Sequence, residues 1–288
     1  MPNLRLSHTS QPRRLGGMTT PTPTVAVLGL GRMGTAMTTR LRDRGWTVNG
    51  WTRSSGTEVG PVVSDADIVL LALFDGPACD QMLAECAPYL SADQVVVNTT
   101  TVAPAEAVTH EKAVQASGAG YLHAPVMMGP PAARNARGVM LVSGPLERFN
   151  RVRDELARMT GHLMYTGERP DMAAVLKLCG NAVVLSMVGI MADVFHMADA
   201  ARVERSDVIR LFDHVSAQGV ITSRGEKMVE GDFAPLFTLT VARKDLRLMQ
   251  ETAGIAEVPI LDALAAHMDR MILAGHGGED VAVLGVKE

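Results

Sequence analysis

The feature that most constrains this chain is a glycine-rich turn between an apolar strand and a helix. Residues 25–34 read VAVLGLGRMG and run on into TAMTTRLRDRG, so the turn spells G-x-G-x-x-G. In this pattern Gly29 permits the tight turn, Gly31 lets a pyrophosphate approach the backbone, and Gly34 lets the helix pack on the strand. We therefore predict a dinucleotide-binding turn whose remaining positions are Leu30, Arg32 and Met33.

The residues after the second predicted strand indicate which dinucleotide binds. NAD sites usually carry Asp or Glu at this point, but residues 51–55 read WTRSS and contain no acid. Arginine makes bidentate, charge-assisted bonds to phosphate. Thr52, Arg53 and Ser54 therefore predict a site for the 2′-phosphate of NADP, and the alternative is an arginine on a solvated loop.

Composition and charge exclude several classes of protein. The chain has 288 residues, of which 47% are hydrophobic, and this is enough for sizeable cores in one or two domains. A net charge of −4 without a basic stripe argues against a nucleic-acid partner. The three cysteines, Cys79, Cys86 and Cys179, have no metal-ligand spacing, so we expect a reduced cytoplasmic protein without a metal site. The longest apolar stretch, 182–192, is too short for a membrane span, so we expect no membrane partner.

Strand and helix patterns alternate in the first part of the chain and give way to helices alone. Predicted strands fall at 24–28, 47–51, 68–73, 95–98, 121–122, 139–143 and 163–165, and predicted helices at 33–44, 77–87, 104–117 and 146–159. This alternation is typical of a Rossmann domain, an α/β fold with a doubly wound parallel sheet. Only helical patterns follow, at 171–201, 206–216, 222–230, 238–253 and 259–274.

These patterns predict three parts of the chain. Residues 1–22 are rich in Ser, Thr, Pro and Arg and are expected to be a flexible extension, with a transit peptide as the alternative. A Rossmann domain is predicted over 23–168, and an all-helical domain built on a long interdomain helix over 169–288. A helix of about thirty residues that is apolar around most of its circumference must be buried on several sides. We therefore expect a second subunit to cover it.

Lys177 and Asn181 stand out at the start of the long helix. They lie four residues apart in LKLCGNA, so they share one helical face among apolar neighbours. Burial of an ammonium group is costly and lowers its pKa towards values at which it can exchange protons near neutral pH. We therefore predict Lys177 as a catalytic acid and base, with Asn181 orienting the substrate. The alternative is a lysine that extends its head into water.

Four segments, taken in order, resemble the β-hydroxyacid dehydrogenase family, and 3-hydroxyisobutyrate dehydrogenases in particular. They are GLGRMG at 29–34, APVMMGPPAARNARG at 124–138, LKLCGN at 176–181 and RKDL at 243–246. The resemblance extends from residue 25 to about residue 275. It implies a Rossmann domain followed by an all-α domain, assembly as dimers or tetramers, and oxidation or reduction of small β-hydroxyacids, aldehydes or keto acids with NAD(P).

The resemblance also implies roles for individual residues. Lys177 would donate and accept the proton on the substrate oxygen, and Asn181 would orient the substrate. The nicotinamide end of the cofactor would be bordered by Thr101 and Lys244, and the cofactor would be flanked by Leu73 and Phe74. The residues expected to bind the substrate are Thr100, Met127, Met128 and Gly129.

Three departures from the family pattern bear on function. The family's Ser-Gly is Met127-Met128 here, and because methionine donates no hydrogen bond, a carboxylate substrate is disfavoured and an apolar one favoured. The family's Asp is His123 here, which we expect to be half-buried and structural rather than titrating. The stretch between Arg53 and Asp67 is shorter by about one helix than in the family and than an ordinary βαβ unit requires. We therefore expect the cofactor site to be unusually open on its adenine side.

Two other functions remain in competition with an NADP-dependent dehydrogenase or reductase. Imine reductases share the fold and a similar run of Gly167, Pro170 and Ala173-Ala174, but they typically carry Asp or Tyr at the position of Lys177. A non-catalytic NADP-binding sensor or scaffold is the third possibility, although it would have no need of a desolvated lysine. The substrate itself is left open by the sequence.

Overall fold

The computed structural model describes residues 22–286, and the predicted extension at 1–22 lies almost wholly outside this range. The strands are β1 Thr24–Leu28, β2 Thr47–Trp51, β3 Ile68–Leu71, β4 Val95–Asn98, β5 Gly120–His123, β6 Val126–Met127, β7 Val139–Ser143 and β8 His162–Gly167. The helices are α1 Arg32–Arg42, α2 Gly60–Ser64, α3 Gly76–Cys86, α4 Pro104–Gln115, α5 Pro130–Arg134, α6 Leu146–Ala157, α7 Met172–Ala200, α8 Arg205–Leu211, α9 Ala217–Glu230, α10 Leu239–Ala253 and α11 Pro259–Leu273.

The chain divides into two compact units after Gly180, inside helix α7. The first unit holds one sheet in the order β2-β1-β3-β4-β5-β7-β6, with β8 beside β7. Strands β1 to β5 are parallel, and this confirms the predicted Rossmann architecture. Strand β7 runs antiparallel to β5 and β6. The connection through residues 128–138 is too short for the crossover that a parallel strand needs, so the chain reverses direction and pairs antiparallel.

The parallel strands are apolar along their whole length because both faces of the sheet are covered. Val27 lies in a core cluster with side chains of α1 and α6, whereas its neighbour Leu28 lies in a cluster with side chains of α3. Both side chains are fully buried. Alternate residues of each strand therefore enter opposite layers, and this burial keeps the strand ends, where a ligand would bind, on a rigid base.

Three short elements were missing from the sequence prediction. They are β6, α2 and α5, none of which is longer than five residues. Such elements span at most about one helical turn, so their sequences show no periodicity to detect. The single turn of α2 agrees with the predicted shortening between Arg53 and Asp67.

The second unit, residues 181–286, is helical apart from one isolated bridge between Thr238 and Asp280. Its core lies between α10 and α11, around Leu246 and Met271. Asp193 of α7 is buried and accepts hydrogen bonds from the backbone N–H groups of Ile260 and Leu261, at 2.8 and 2.9 Å. These N–H groups begin α11 and have no acceptor within the helix, so Asp193 anchors that helix end on α7.

Helix α7 carries an apolar face that is exposed in this chain. Val184, Leu185 and Val188 are 50, 69 and 65% exposed. At 29 residues, the helix is long and apolar enough to cross a membrane by length and composition alone. The expectation of no membrane span considered only the uninterrupted apolar stretch 182–192, whereas the helix predicted at 171–201 extends over Met172–Ala200. Burial of this face by a second subunit stays a prediction.

Candidate active site

The glycine-rich turn has the geometry that its sequence predicts. Gly29 adopts a φ of +101°, and a Cβ there would lie 2.5 Å from the carbonyl oxygen of Ala72. A Cβ on Gly34 would lie only 1.8 Å from the carbonyl oxygen of Gly29. Both positions therefore exclude side chains. No atom lies within 4 Å of the corresponding point at Gly31, which leaves open space above its backbone.

The start of α1 forms a cradle for an anion. Gly31 is the N-cap and makes no side-chain cap hydrogen bond, so the first N–H groups of α1 have no side-chain acceptor there. These groups and the positive end of the helix dipole attract phosphate. Leu30 packs over Gly50 of β2, Arg32 is exposed and Met33 is half-buried. The open cradle fits the pyrophosphate of a dinucleotide.

The residues predicted to bind the 2′-phosphate form a fixed turn after β2. Arg53 to Ser55, including Ser54, make one turn of 3₁₀-helix, with Thr52 as its N-cap. The indole N–H of Trp51 donates to the carbonyl oxygen of Thr57 at 2.9 Å and closes this loop. The Arg53 guanidinium contacts Glu85 of α3 at 3.4 Å. The arginine therefore lies exposed on the surface of the first unit beside a carboxylate that the sequence prediction did not include.

The loops after β3 and β4 are joined by hydrogen bonds. The backbone N–H of Leu73 donates to the Thr100 hydroxyl at 3.0 Å, and the N–H of Thr100 donates to the Asn98 amide oxygen at 3.0 Å. Thr100 is buried, whereas Phe74 and Thr101 are exposed. The Thr100 hydroxyl thus holds the backbone that carries Leu73 and Phe74. Its predicted contact with substrate stays a prediction.

Asn98 is the centre of a buried polar cluster beneath these loops. Its amide nitrogen lies 3.3 Å from the Tyr121 hydroxyl and 3.4 Å from Nδ1 of His110. The Tyr121 hydroxyl in turn lies 3.5 Å from Nδ1 of His123. Burial, with a smaller contribution from His110, lowers the pKa of His123 to about 3. His123 is therefore neutral at physiological pH. It is fully buried rather than half-buried, because β5 is covered on both faces.

Lys177 lies on α7 against Met127 of β6. Its ammonium nitrogen is 3.4 Å from the Met127 sulfur, and only 9% of the residue is exposed. Burial lowers the pKa of Lys177 below its usual value. The Met127 methyl group lies 2.8 Å from the point where a Cβ on Gly180 would sit, so Met127 packs on the helical face that carries Lys177 and Gly180. A thioether sulfur is a weak hydrogen-bond acceptor.

Ser143 fixes the start of the helix that carries Lys177. Its hydroxyl donates to the carbonyl oxygen of Pro170 at 2.8 Å and accepts from the N–H of Ala173 at 3.2 Å. Lys177 follows Ala173 by one helical turn. The sequence prediction did not assign Ser143, although a polar residue that ends the apolar strand VMLVS was the available signal.

The remaining predicted site residues fall in both units. Met128 packs against Gly138, where a Cβ would lie 2.7 Å from that of Met128, and Gly129 is the N-cap of α5. Asn181 follows Lys177 by one turn of α7 and is half-buried. Lys244 lies on α10 and forms an ion pair with Asp245 at 2.6 Å. Their roles toward cofactor and substrate stay predictions.

Within residues 22–286, no group of three or more His, Cys, Asp or Glu side chains is placed to hold a metal ion. The three cysteines of this range are free thiols, and burial raises the pKa of Cys86 to about 12.

The first unit therefore combines an anion-binding turn at the start of α1, suited to a dinucleotide, with a buried lysine on the first turns of α7.

Comparison with known proteins identifies the family. The profile for the NAD binding domain of 6-phosphogluconate dehydrogenase matches residues 24–167. The profile described as NAD-binding of NADP-dependent 3-hydroxyisobutyrate dehydrogenase matches residues 172–286. L-threonate dehydrogenase of Cupriavidus necator is 27% identical over 281 residues, which cover 89% of this chain and 93% of that protein.

Solved structures of similar fold include two reductases. A variant imine reductase from Myxococcus stipitatus in complex with NAD⁺ has a TM-score of 0.82 and 24% identity, and 91% of this chain and 98% of that chain are covered. A reductive aminase from Aspergillus terreus in complex with NADPH and ethyl levulinate has a TM-score of 0.84 and 21% identity, with the same coverage of 91 and 98%. These likenesses confirm the fold.

The two profiles account for nearly all of residues 24–286, and each half carries the motifs by which the sequence resembles one group of enzymes. The chain therefore belongs to the β-hydroxyacid dehydrogenase family and is an NAD(P)-dependent oxidoreductase.

Proposed function

We propose that this enzyme transfers hydride between NADP(H) and a small hydroxy acid, aldehyde or other carbonyl compound, with Lys177 as the general acid and base. The observation that carries this proposal is the burial of Lys177 beside Met127, with the lowered pKa that burial causes. A lysine with a lowered pKa can serve as either proton donor or proton acceptor.

The bound nicotinamide would supply or accept the hydride, and the protein's own side chains would donate or accept the proton on the substrate oxygen. In reduction, negative charge develops on the substrate oxygen as hydride reaches its carbon, and the Lys177 ammonium gives that oxygen a proton. In oxidation, the neutral amine takes the proton back. Asn181, one turn further along α7, would orient the substrate by hydrogen bonding. Because only 9% of Lys177 is exposed, its charge would act with less screening by water than a charge on the surface.

Met127 narrows the choice of substrate. Its thioether contacts the lysine that would protonate the substrate, and it donates no hydrogen bond to a carboxylate. Methionine is also a flexible, polarizable surface for apolar groups. We therefore propose that uncharged aldehydes and ketones react better than simple hydroxy acids, with Met128, Gly129 and Thr100 bordering the same substrate.

We propose NADP as the cofactor because residues 52–55, which directly follow β2, contain no carboxylate and include Arg53. NADPH should bind more tightly than NADH by about 1.5–3 kcal/mol, if Arg53 makes a charge-assisted pair with the 2′-phosphate. Arg53→Ala should remove most of that difference. Calorimetric titration with both nucleotides measures it, and equal affinities of the unaltered enzyme would contradict the assignment.

Reduction of imines is the second candidate. The observation that favours it is Met127, because a cationic iminium substrate needs no carboxylate-binding serine and can bring its own proton. The test is a panel of NADPH-oxidation assays against aldehydes, keto acids and cyclic imines at neutral pH. The principal proposal predicts the highest kcat/KM for an aldehyde or ketone. Reduction confined to cyclic imines would favour the second candidate, and NADPH binding without turnover of any class would favour a sensor or scaffold.

We further propose that the enzyme works as a homodimer or homotetramer in the cytoplasm, with neither nucleic acid nor membrane as a partner. Support comes from the exposed apolar side chains along α7, which a second copy would cover, and from the free thiols of Cys79, Cys86 and Cys179.

A further inference from the structure

The Arg53 guanidinium lies against a carboxylate that no motif pointed to. Nη2 of Arg53 is 3.4 Å from Oε1 of Glu85, and the two side chains are 60 and 37% exposed. Glu85 stands on the last turn of α3, next to the buried Cys86. It lies 32 residues from Arg53 in the sequence, so local patterns do not reveal the pair.

Both partners stand on fixed backbone. The turn that carries Arg53 is closed by the hydrogen bond from the Trp51 indole to Thr57, at 2.9 Å. Helix α3 is anchored at its other end by Asp75, whose carboxylate accepts from the N–H of Ala78 at 2.9 Å. The contact between Arg53 and Glu85 therefore needs only side-chain ordering, and it is available whenever the 2′-phosphate is absent.

A 2′-phosphate and Glu85 would compete for the same guanidinium. Arginine holds phosphate best with two parallel N–H···O bonds, which require its planar fork to face the ligand. Nη2 of Arg53 already faces a carboxylate on a different element. Because phosphate and carboxylate carry like charges, both cannot approach one guanidinium closely without repulsion.

We propose that Glu85 sets cofactor specificity by competing with the 2′-phosphate of NADPH for Arg53. Glu85 lowers NADPH affinity and leaves NADH affinity nearly unchanged, because NADH carries an uncharged hydroxyl at that carbon. The pair thus reduces the difference in affinity between NADPH and NADH, and it makes NADH a usable cofactor. This inference rests on the proposed role of Arg53 in binding NADP.

The test begins with Glu85→Gln, which keeps size and polarity but removes the charge. An exposed ion pair of this kind has a modest strength, so NADPH affinity should rise about two- to fivefold. NADH affinity should stay constant within the error of the titration. Glu58→Gln is the control matched in charge, since Glu58 is exposed on the loop after β2 and forms no ion pair among residues 22–286. It should leave the ratio of the two affinities unchanged.

Calorimetric titration of NADPH and NADH into the purified variants measures these affinities without turnover. Glu85→Gln should no longer raise NADPH affinity in an Arg53→Ala background, because the competition needs the guanidinium. Unchanged or weaker NADPH binding by Glu85→Gln would overturn the proposal, as would an equal gain from Glu58→Gln. If Arg53→Ala leaves the NADPH preference intact, the proposed NADP site itself fails. If Arg53→Ala removes that preference and Glu85→Gln has no effect, only the role of Glu85 fails.

Discussion

At the scale of single residues, the site depends on how Lys177 is surrounded. A thioether sulfur lies 3.4 Å from its nitrogen, and burial lowers the pKa of Lys177. Met127 bears on this site in two ways. In the proposed mechanism it lies beside the lysine that exchanges a proton with the substrate, and it lacks the hydroxyl with which a serine at this position would bind a substrate carboxylate.

Met127→Ser should shift the substrate range toward acids. A new hydroxyl donor to a carboxylate would lower KM for hydroxy or keto acids by about tenfold or more. Met127→Leu is the matched control, since it keeps an apolar side chain and should leave that KM unchanged. Steady-state kinetics with one acid and one uncharged aldehyde measures the shift. An equal change in KM for both substrates would show that Met127 does not select against carboxylates.

The residues that the sequence did not reveal act through long-range contacts. Asn98 joins the loops after β3 and β4 to Tyr121, and Ser143 holds the start of α7 through Pro170. Glu85 meets Arg53 across 32 residues. Each is an ordinary polar residue at the end of a strand or helix, and only the packing of separate elements shows what it contacts.

At the scale of elements, the parts that were predicted are those with a strong local pattern. The turn from β1 to α1 and the parallel strands β1 to β5 follow from a glycine fingerprint and continuous apolar runs. The antiparallel return of β7 was not predicted, because strand direction depends on the connection through residues 128–138 and not on the strand's own residues.

Two glycine variants separate folding from cofactor binding within the turn. Gly34→Ala places a Cβ 1.8 Å from the carbonyl oxygen of Gly29, so the turn must deform and stability should fall by about 1–3 kcal/mol. Gly31→Ala meets nothing within 4 Å and should leave the unfolding midpoint nearly unchanged. Both should weaken NADPH binding, because each disturbs the approach of the pyrophosphate. Urea unfolding and NADPH titration measure the two effects, and tight binding by Gly31→Ala would refute the assignment of the cradle.

At the scale of the whole molecule, the exposed face of α7 is the feature that a single chain leaves unexplained. Val184, Leu185 and Val188 present aliphatic side chains that soluble monomers rarely display in a row. The length and composition of the helix alone do not distinguish a membrane from a second copy as the cover. We propose a second copy of the chain as the cover.

Light scattering of the purified enzyme at micromolar concentration should therefore show a dimer or tetramer. Leu185→Glu should weaken assembly by about a hundredfold or more, because an unpaired carboxylate would be buried in the interface. Leu273→Glu, at a side chain 88% exposed at the end of α11, is the control and should not change the mass. A stable monomer of the unaltered chain would rule out the predicted assembly.

The role of Lys177 is the central claim, and single-turnover reduction of the best substrate by NADPH tests it most directly. Lys177→Ala should lower the rate about 10²–10⁴-fold while NADPH affinity stays nearly constant, and Lys177→Arg should not restore it, since guanidinium keeps its proton. In the unaltered enzyme the general acid must be protonated. Reduction should therefore slow as the pH rises through the lowered pKa of Lys177, and Lys177→Ala should lose that dependence. A Lys177→Ala protein that folds, binds NADPH and keeps the full rate would contradict the account and place Lys177 among the structural residues.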